Sequence, residues 1–284
     1  MLESFLITSR ETLEASLVVG IVFGYLNRTS QHSYKRVVYY GIAAGVLLSM
    51  LAALLFISIA GEFAGRAEEI FEGMTMMVAA VLLTTMILWM LRQQRIARQL
   101  ESRVASHIQK AQVSAWGEWG LFLLVLIAVL REGVETVIFF GAISYSSGVS
   151  LLGGLLGVAA AIAIGYFFFM GTRKVNLRRF FHVSSVLLIL FAAGLVAHGV
   201  HEFEEAGLVN GIIAPVWDIN PVQNADGSYP ALHEKGAVGS FLVGLFGYNG
   251  NPSLVEVLAY AAYLSAIYVI YRRIEFSKGA GATQ

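Results

Sequence analysis

Two short runs place acids and a base inside otherwise apolar sequence: Arg10-Glu11-Thr12-Leu13-Glu14 and Arg131-Glu132-Gly133-Val134-Glu135. On a helix, residues three and four apart share a face. Glu11 and Glu14 therefore point one way, and so do Glu132 and Glu135. Arg10 can reach Glu14, and Arg131 can reach Glu135. Together the runs offer four carboxylates and two guanidiniums, a net charge of −2 when all are ionised. Carboxylate oxygens without thiolate or imidazole make a hard site, suited to calcium, magnesium, manganese or iron. A charged side chain at the centre of a membrane helix costs roughly 2.5–3.5 kcal/mol on insertion scales, so six cost on the order of 15–20 kcal/mol before pairing. Ion pairing that merely holds helices together would account for one such run, but poorly for the same run twice.

A second group of ligand-type residues flanks two other apolar stretches. One begins Glu68-Glu69-Ile70-Phe71-Glu72, and the other ends His198-Gly199-Val200-His201-Glu202-Phe203-Glu204-Glu205. His198, His201, Glu202 and Glu205 follow the spacing of one helical stripe. Imidazole with carboxylate suits iron, zinc or manganese. Glu68, Glu69, Glu72, His198, His201, Glu202 and Glu205 are thus candidates for an outer site that collects metal; the plain alternative is a solvated helix end. Glu256 either joins that group or caps the helix that it begins.

The elements that must position these residues are membrane spans. Of 284 residues, 57% are apolar and 13% charged, and the mean hydropathy is +0.70. That charged fraction is about half of what soluble domains carry. The 19 basic residues balance 19 acidic ones, so no global field attracts nucleic acid. Cysteine is absent, which removes disulfides, thiolate metal sites and cysteine nucleophiles. A span needs about 20 mostly apolar residues. Seven stretches qualify: Leu2–Leu26, Val37–Ala60, Glu69–Leu91, Trp119–Ser144, Leu151–Gly171, Phe180–His201 and Leu254–Tyr271. Basic residues cluster after the first, third, fifth and seventh, while the alternate loops are acidic or uncharged. The positive-inside rule then puts the N-terminus outside and the C-terminus in the cytoplasm. The basic stretch Arg92–Gln112 is expected to be a helix on the cytoplasmic side, and Val238–Phe246 to dip into the membrane.

Sliding the first span by 121 positions lays Arg10, Glu11, Glu14 and Gly20 on Arg131, Glu132, Glu135 and Gly141. Gly41 and Gly45 likewise match Gly153 and Gly157. With Gly20 and Gly24, these are small-xxx-small pairs that let helices approach closely. The expected fold is an all-α integral membrane protein of seven transmembrane helices, an inverted 3+3 repeat plus a seventh helix. Repeat one covers about 1–91, repeat two about 117–206, an external segment 207–252, and the seventh helix 254–271. Three spans per repeat force the second copy upside down. Glu11 and Glu135 each lie about 14 Å from the external surface at 1.5 Å per residue. Both motifs therefore reach the midplane, where inverted-repeat transporters keep their sites.

An Arg-Glu-x-x-Glu in the first and fourth of seven spans resembles the oxidase-dependent iron transporter family, which includes fungal high-affinity iron permeases and bacterial EfeU-type iron permeases. The likeness extends over nearly the whole chain. It takes in the Glu-rich start of the third span, the His/Glu end of the sixth, and Phe246-Gly247-Tyr248 followed by Asn251-Pro252-Ser253. The resemblance implies a permease of the cytoplasmic membrane, not an enzyme. Iron is then the transported substrate, as Fe3+ or Fe2+, and no cofactor is needed. Glu11, Glu14, Glu132 and Glu135 become candidate iron ligands supported by Arg10 and Arg131. A ferroxidase or periplasmic iron-binding partner is implied as well. Thr12 departs from the glycine common in the family and adds a hydroxyl beside the ligands. Transport of another divalent metal such as manganese or lead is the runner-up, and an intramembrane hydrolase is a distant third.

Overall fold

The computed structural model describes residues 1–92, 116–169, 177–224 and 228–280. The helices are α1 (Leu2–Arg28), α2 (Lys35–Ala60), α3 (Arg66–Arg92), α4 (Trp116–Ser146), α5 (Leu151–Phe169), α6 (Leu177–Glu205), the short α7 (Ala237–Phe246) and α8 (Leu254–Ala280). A single 3-10 turn, His32–Tyr34, precedes α2. Each of the seven stretches expected to span lies on one of these helices, most of which extend a few residues beyond the expected bounds. The fifth stretch ends, and the basic Arg92–Gln112 segment continues past Arg92, outside the described residues. The segment expected to dip, Val238–Phe246, is helical.

Among the described residues, four helical stretches are long and apolar enough to cross a membrane: His32–Ala60, Arg66–Trp89, Phe180–Glu205 and Leu254–Ile274. Their number and composition make this a multi-pass helical membrane protein. α1 and α4 are of similar length, but the motif charges interrupt them. The apolar part of α5, Leu151–Phe167, is shorter. α2 turns an almost wholly exposed row outward, including Tyr39, Leu47, Leu51, Leu54 and Leu55. Such a face is stable against hydrocarbon and not against water.

Local sequence explains the helix ends. Ser253 and Glu256 form a capping box at the start of α8: Glu256 N–H donates to Ser253 Oγ (3.1 Å), and Ser253 N–H donates to Glu256 Oε1 (2.9 Å). α7 stops at Gly247, whose φ of 62° is left-handed and favours glycine. The same glycine lies backbone to backbone against Gly194 of α6, leaving no room for a side chain on either.

Packing pairs the helices in a crossed pattern. α5 lies against α1, α2 against α4, and α3 against α6, with α8 outside α6. Gly41 and Gly45 meet Val125 and Val129, and Gly133 and Gly141 meet Ser49 and Phe56, so α2 and α4 run parallel. Gly153 meets Met1, Gly157 meets Thr8 and Gly165 meets Ser16, so α5 and α1 are parallel too. Hydrogen bonds reinforce the second interface, from Thr8 Oγ1 to the Gly154 carbonyl (2.9 Å) and from Ser150 N–H to Ser4 Oγ (3.2 Å). Two apolar cores form. One joins Leu6 and Ile7 of α1 to Phe139, Ala142 and Ile143 of α4, with side chains of α3 and α6. The other joins Val22 and Leu26 of α1 to Leu121, Val125 and Val129 of α4, with Val38 of α2. Early α1 thus meets late α4, and the two helices are antiparallel.

The glycines differ in what they permit. A Cβ at Gly157 would collide with the Thr8 hydroxyl, whereas one at Gly24 meets nothing within 4 Å. Gly157→Ala is expected to lower the melting temperature of the detergent-solubilised chain, with overpacking costing about 1–3 kcal/mol. Gly24→Ala is expected to leave it unchanged or raise it by the helix-propensity gain. Equal melting temperatures for the two variants would contradict this packing.

Candidate metal centre

The motif residues lie between the two apolar cores on both α1 and α4. Along α1 the order is Leu6 and Ile7, then Arg10 to Glu14, then Val22 and Leu26; along α4 it is Leu121 to Val129, then Arg131 to Glu135, then Phe139 to Ile143. Antiparallel packing puts the two charged runs at one level. Glu11, Glu132 and Glu135 each bring a carboxylate oxygen within 4.8 Å of the other two. Glu11 is 2% exposed and Glu132 8%. Both Glu11 oxygens, Glu132 Oε2 and Glu135 Oε2 are buried and accept no hydrogen bond from the described residues. Buried acceptors left unpaired cost about 1–3 kcal/mol each, more when charged. A cation among them would meet that deficit.

Glu14 stands apart from the trio. It accepts from Arg10 Nε at 3.1 Å, and Arg131 and Glu135 bear on it electrostatically. Arg131 Nε donates to Glu135 Oε1 at 2.8 Å and lies 3.8 Å from Glu132. The expected i,i+4 pairs therefore form in both motifs. Three of the four expected ligands come together, and the fourth neutralises its own arginine.

The arginines are unequal. The Arg10 side chain is 0% exposed, and its two terminal nitrogens have no partner among the described residues. The Arg131 side chain is 49% exposed, and its guanidinium lies 5.9 Å from the centre of the Trp89 ring on α3. Cation–π contact and a snorkelling stem suit a charge that reaches a wetter layer. Thr12 is half-buried, whereas its counterpart Gly133 is pressed against Ser49. Glycine in the second motif is thus a packing requirement.

The outer candidates come together in part. Glu72 feels the charges of Glu68, Glu69 and Glu205, and Glu202 those of Glu72, Glu205 and Glu69, so the start of α3 and the end of α6 form one acidic face. His198 departs from it, because its Nδ1–H donates to the Gly194 carbonyl (3.0 Å). His201 instead turns toward α8, with Nδ1 3.1 Å from Glu256 Oε1 and Nε2 3.3 Å from Glu205. One donor atom each of His201, Glu204 and Glu256 lies within 4.8 Å of the other two. The stripe rule missed Glu204, which is off the His198–Glu205 register. Glu256 both caps α8 and brings its carboxylate to His201.

A buried oxygen-donor centre between antiparallel helices of a multi-pass membrane protein suits a permease for cations. Comparison with known proteins agrees: residues 1–275 match the Iron permease FTR1 family, and the chain belongs to that family. The chain is 32% identical over 274 residues to the Ferrous iron permease EfeU of Yersinia pestis, covering 95% of this chain and 93% of that protein. It is 33% identical over 275 residues to the Ferrous iron permease EfeU of Escherichia coli O157:H7, covering 95% of each. No solved structure matches the chain. The family is one of permeases, not of enzymes, so the hydrolase reading falls away.

The inequality of the arginines gives an asymmetric expectation. Arg10→Gln leaves Glu14 without its buried counter-charge and is expected to cost about 3–5 kcal/mol. Arg131→Gln also strips Glu135, 13% exposed, of its partner, but the guanidinium it removes is itself half-exposed, so the expected cost is smaller, about 1–3 kcal/mol. Melting temperatures of the two variants in detergent measure the difference, and equal losses would contradict the burial described.

Proposed function

We propose that this chain imports ferrous iron across the cytoplasmic membrane through the centre formed by Glu11, Glu132 and Glu135, with Glu14 as a fourth carboxylate. The observation that carries the reading is the convergence of three carboxylates from antiparallel helices on one buried spot, with four oxygens that accept no hydrogen bond among the described residues. The charge balance favours a divalent ion. Four acids and two arginines leave −2, which Fe2+ cancels and Fe3+ overshoots. An uncancelled charge in a low-dielectric layer costs several kcal/mol. The EfeU relatives are ferrous iron permeases, which agrees with this arithmetic.

The path follows from an inverted repeat. In this reading α1–α3 and α4–α6 are the two copies, α8 is the seventh span, and the N-terminus is outside. The crossed packing supports it: α1 takes α5 as α4 takes α2, and α3 pairs with α6. The antiparallel course of α1 and α4 supports it as well. Iron gathers at the outer acids Glu68, Glu69, Glu72, Glu202 and Glu205, with His201 beside them. It passes to the midplane carboxylates and leaves on the Arg131 side. The sealed Arg10 and half-exposed Arg131 support reading this conformation as nearer the inward-facing end of the cycle. A periplasmic iron-binding protein delivers the metal at the outer face; a ferroxidase, whose product is Fe3+, does not suit the ferrous reading.

Metal flux into proteoliposomes tests the proposal. Glu11→Gln and Glu135→Gln are expected to abolish iron uptake, by about a hundredfold or more if each removes a ligand worth about 3 kcal/mol, while both proteins still reach the membrane. Fe2+ is expected to enter faster than Fe3+, and manganese or lead to compete weakly. Wild-type uptake in both variants would reject the ligand assignment, and equal competition by manganese would reject iron selectivity.

A further inference from the structure

We infer that His201, Glu204 and Glu256 form a discrete second metal site, bridging the end of α6 and the start of α8 and selective for divalent transition ions. Its metal binding stands on its own geometry; its place in uptake rests on the permease reading above. Three kinds of observation point to it. First, the donors are close enough: one atom each of His201, Glu204 and Glu256 falls within 4.8 Å of the others. Ligands about 2.1 Å from a shared metal are about 3–4 Å apart, so small side-chain rotations close the site. Second, Glu204 Oε1 is buried and accepts no hydrogen bond from the described residues. The chain turns back over it, with Gly211 next to the carboxylate. An unpaired acid beside an imidazole–carboxylate pair lacks one cation. Third, the site is held in place. Glu256 accepts from Ser253 N–H (2.9 Å) and Asn249 Nδ2 (2.7 Å), and the other ring nitrogen of His201, Nε2, lies 3.3 Å from Glu205 Oε1. Hydrogen bonds of this kind fix ligand orientation in metal sites and raise their affinity.

The donor set also sets the selectivity. Imidazole with two carboxylates suits iron, manganese, cobalt and zinc, while calcium and magnesium favour oxygen alone. The midplane centre has only oxygen donors. The two sites therefore differ in kind: the outer one selects by its nitrogen donor, and the inner one by charge. Two helices that are far apart in sequence, α6 and α8, are clamped when the outer site fills. The hydrogen bond between His201 and Glu256 already joins them, and a metal would replace its proton and recruit Glu204.

Cobalt binding to the purified full-length chain in detergent tests this, by equilibrium dialysis and by visible absorption of the bound ion. Glu204→Gln is the informative variant, because Glu204 Oε1 accepts no hydrogen bond from the described residues whose loss would unfold the chain. The wild type is expected to hold one more Co2+ per chain than either Glu204→Gln or His201→Gln, and both variants are expected to lose the absorption of nitrogen-ligated cobalt. Excess calcium is expected to leave that absorption in place. Glu11→Gln is expected to keep the outer ion. A Glu11→Gln chain that binds as many ions as the wild type, with Glu204→Gln still one short, would sink the midplane ligand and leave the outer site standing. Wild-type stoichiometry and spectrum in both Glu204→Gln and His201→Gln would overturn the outer site. So would displacement of the cobalt by calcium.

Discussion

Removing Arg10, Glu11 and Glu132 from water costs several kcal/mol per charge unless a counter-charge or a full set of hydrogen bonds receives it. That cost shapes the whole helix arrangement. Each motif supplies part of the answer within its own helix, because Arg10 pairs with Glu14 and Arg131 with Glu135 one turn apart. The remainder comes from a second helix: α4 must bring its carboxylates to the level of Glu11. Apolar cores above and below this layer hold the two helices at that register. Register in turn needs close approach, which the glycine contacts of α2 with α4 and of α5 with α1 provide. The surplus of unpaired carboxylate oxygens is what such packing leaves behind, and it is the part that stabilises nothing unless a cation fills it.

Much of this was legible in the residues. The spacing of Arg10, Glu11 and Glu14 fixes their common helix face, and its repetition at Arg131, Glu132 and Glu135 marks the second helix of the site. Counting residues to the external surface put both motifs at one depth, and the positions of the two cores agree with that level. Three features were not legible. The partner of each glycine pair depends on which helices touch, and periodicity within one helix carries no such information; Gly24 follows the same small-residue pattern as Gly45 yet faces open space. The meeting of Glu204 with Glu256 crosses the long segment between α6 and α8, so no helical spacing could reveal it. The burial of Arg10 against the exposure of Arg131 is tertiary too, since the two motifs read alike in sequence.

Sequence likeness between the motifs therefore hides a chemical inequality. On the Arg10 side, α1 is fastened to α5 by the Thr8–Gly154 and Ser4–Ser150 hydrogen bonds as well as by glycine contact. On the Arg131 side, the matching contact of α4 with α2 rests on Val125, Val129 and Ser49 against glycines, and Arg131 is free to lean on Trp89. Each intramolecular hydrogen bond contributes about 0.5–1.5 kcal/mol net, so parting α1 from α5 costs a few kcal/mol beyond the lost packing. A conformational equilibrium displaced by that amount populates the alternative state at the level of about 0.1–10%. A ligand can reverse such a bias only through its differential affinity for the two states. Neutralising a layer of net charge −2 supplies that differential if the carboxylates converge more tightly in one state than in the other. On the permease reading, the hydrogen bonds of Ser4 and Thr8 set how far the empty protein leans inward, and the charge of the ion sets how far binding can push it back.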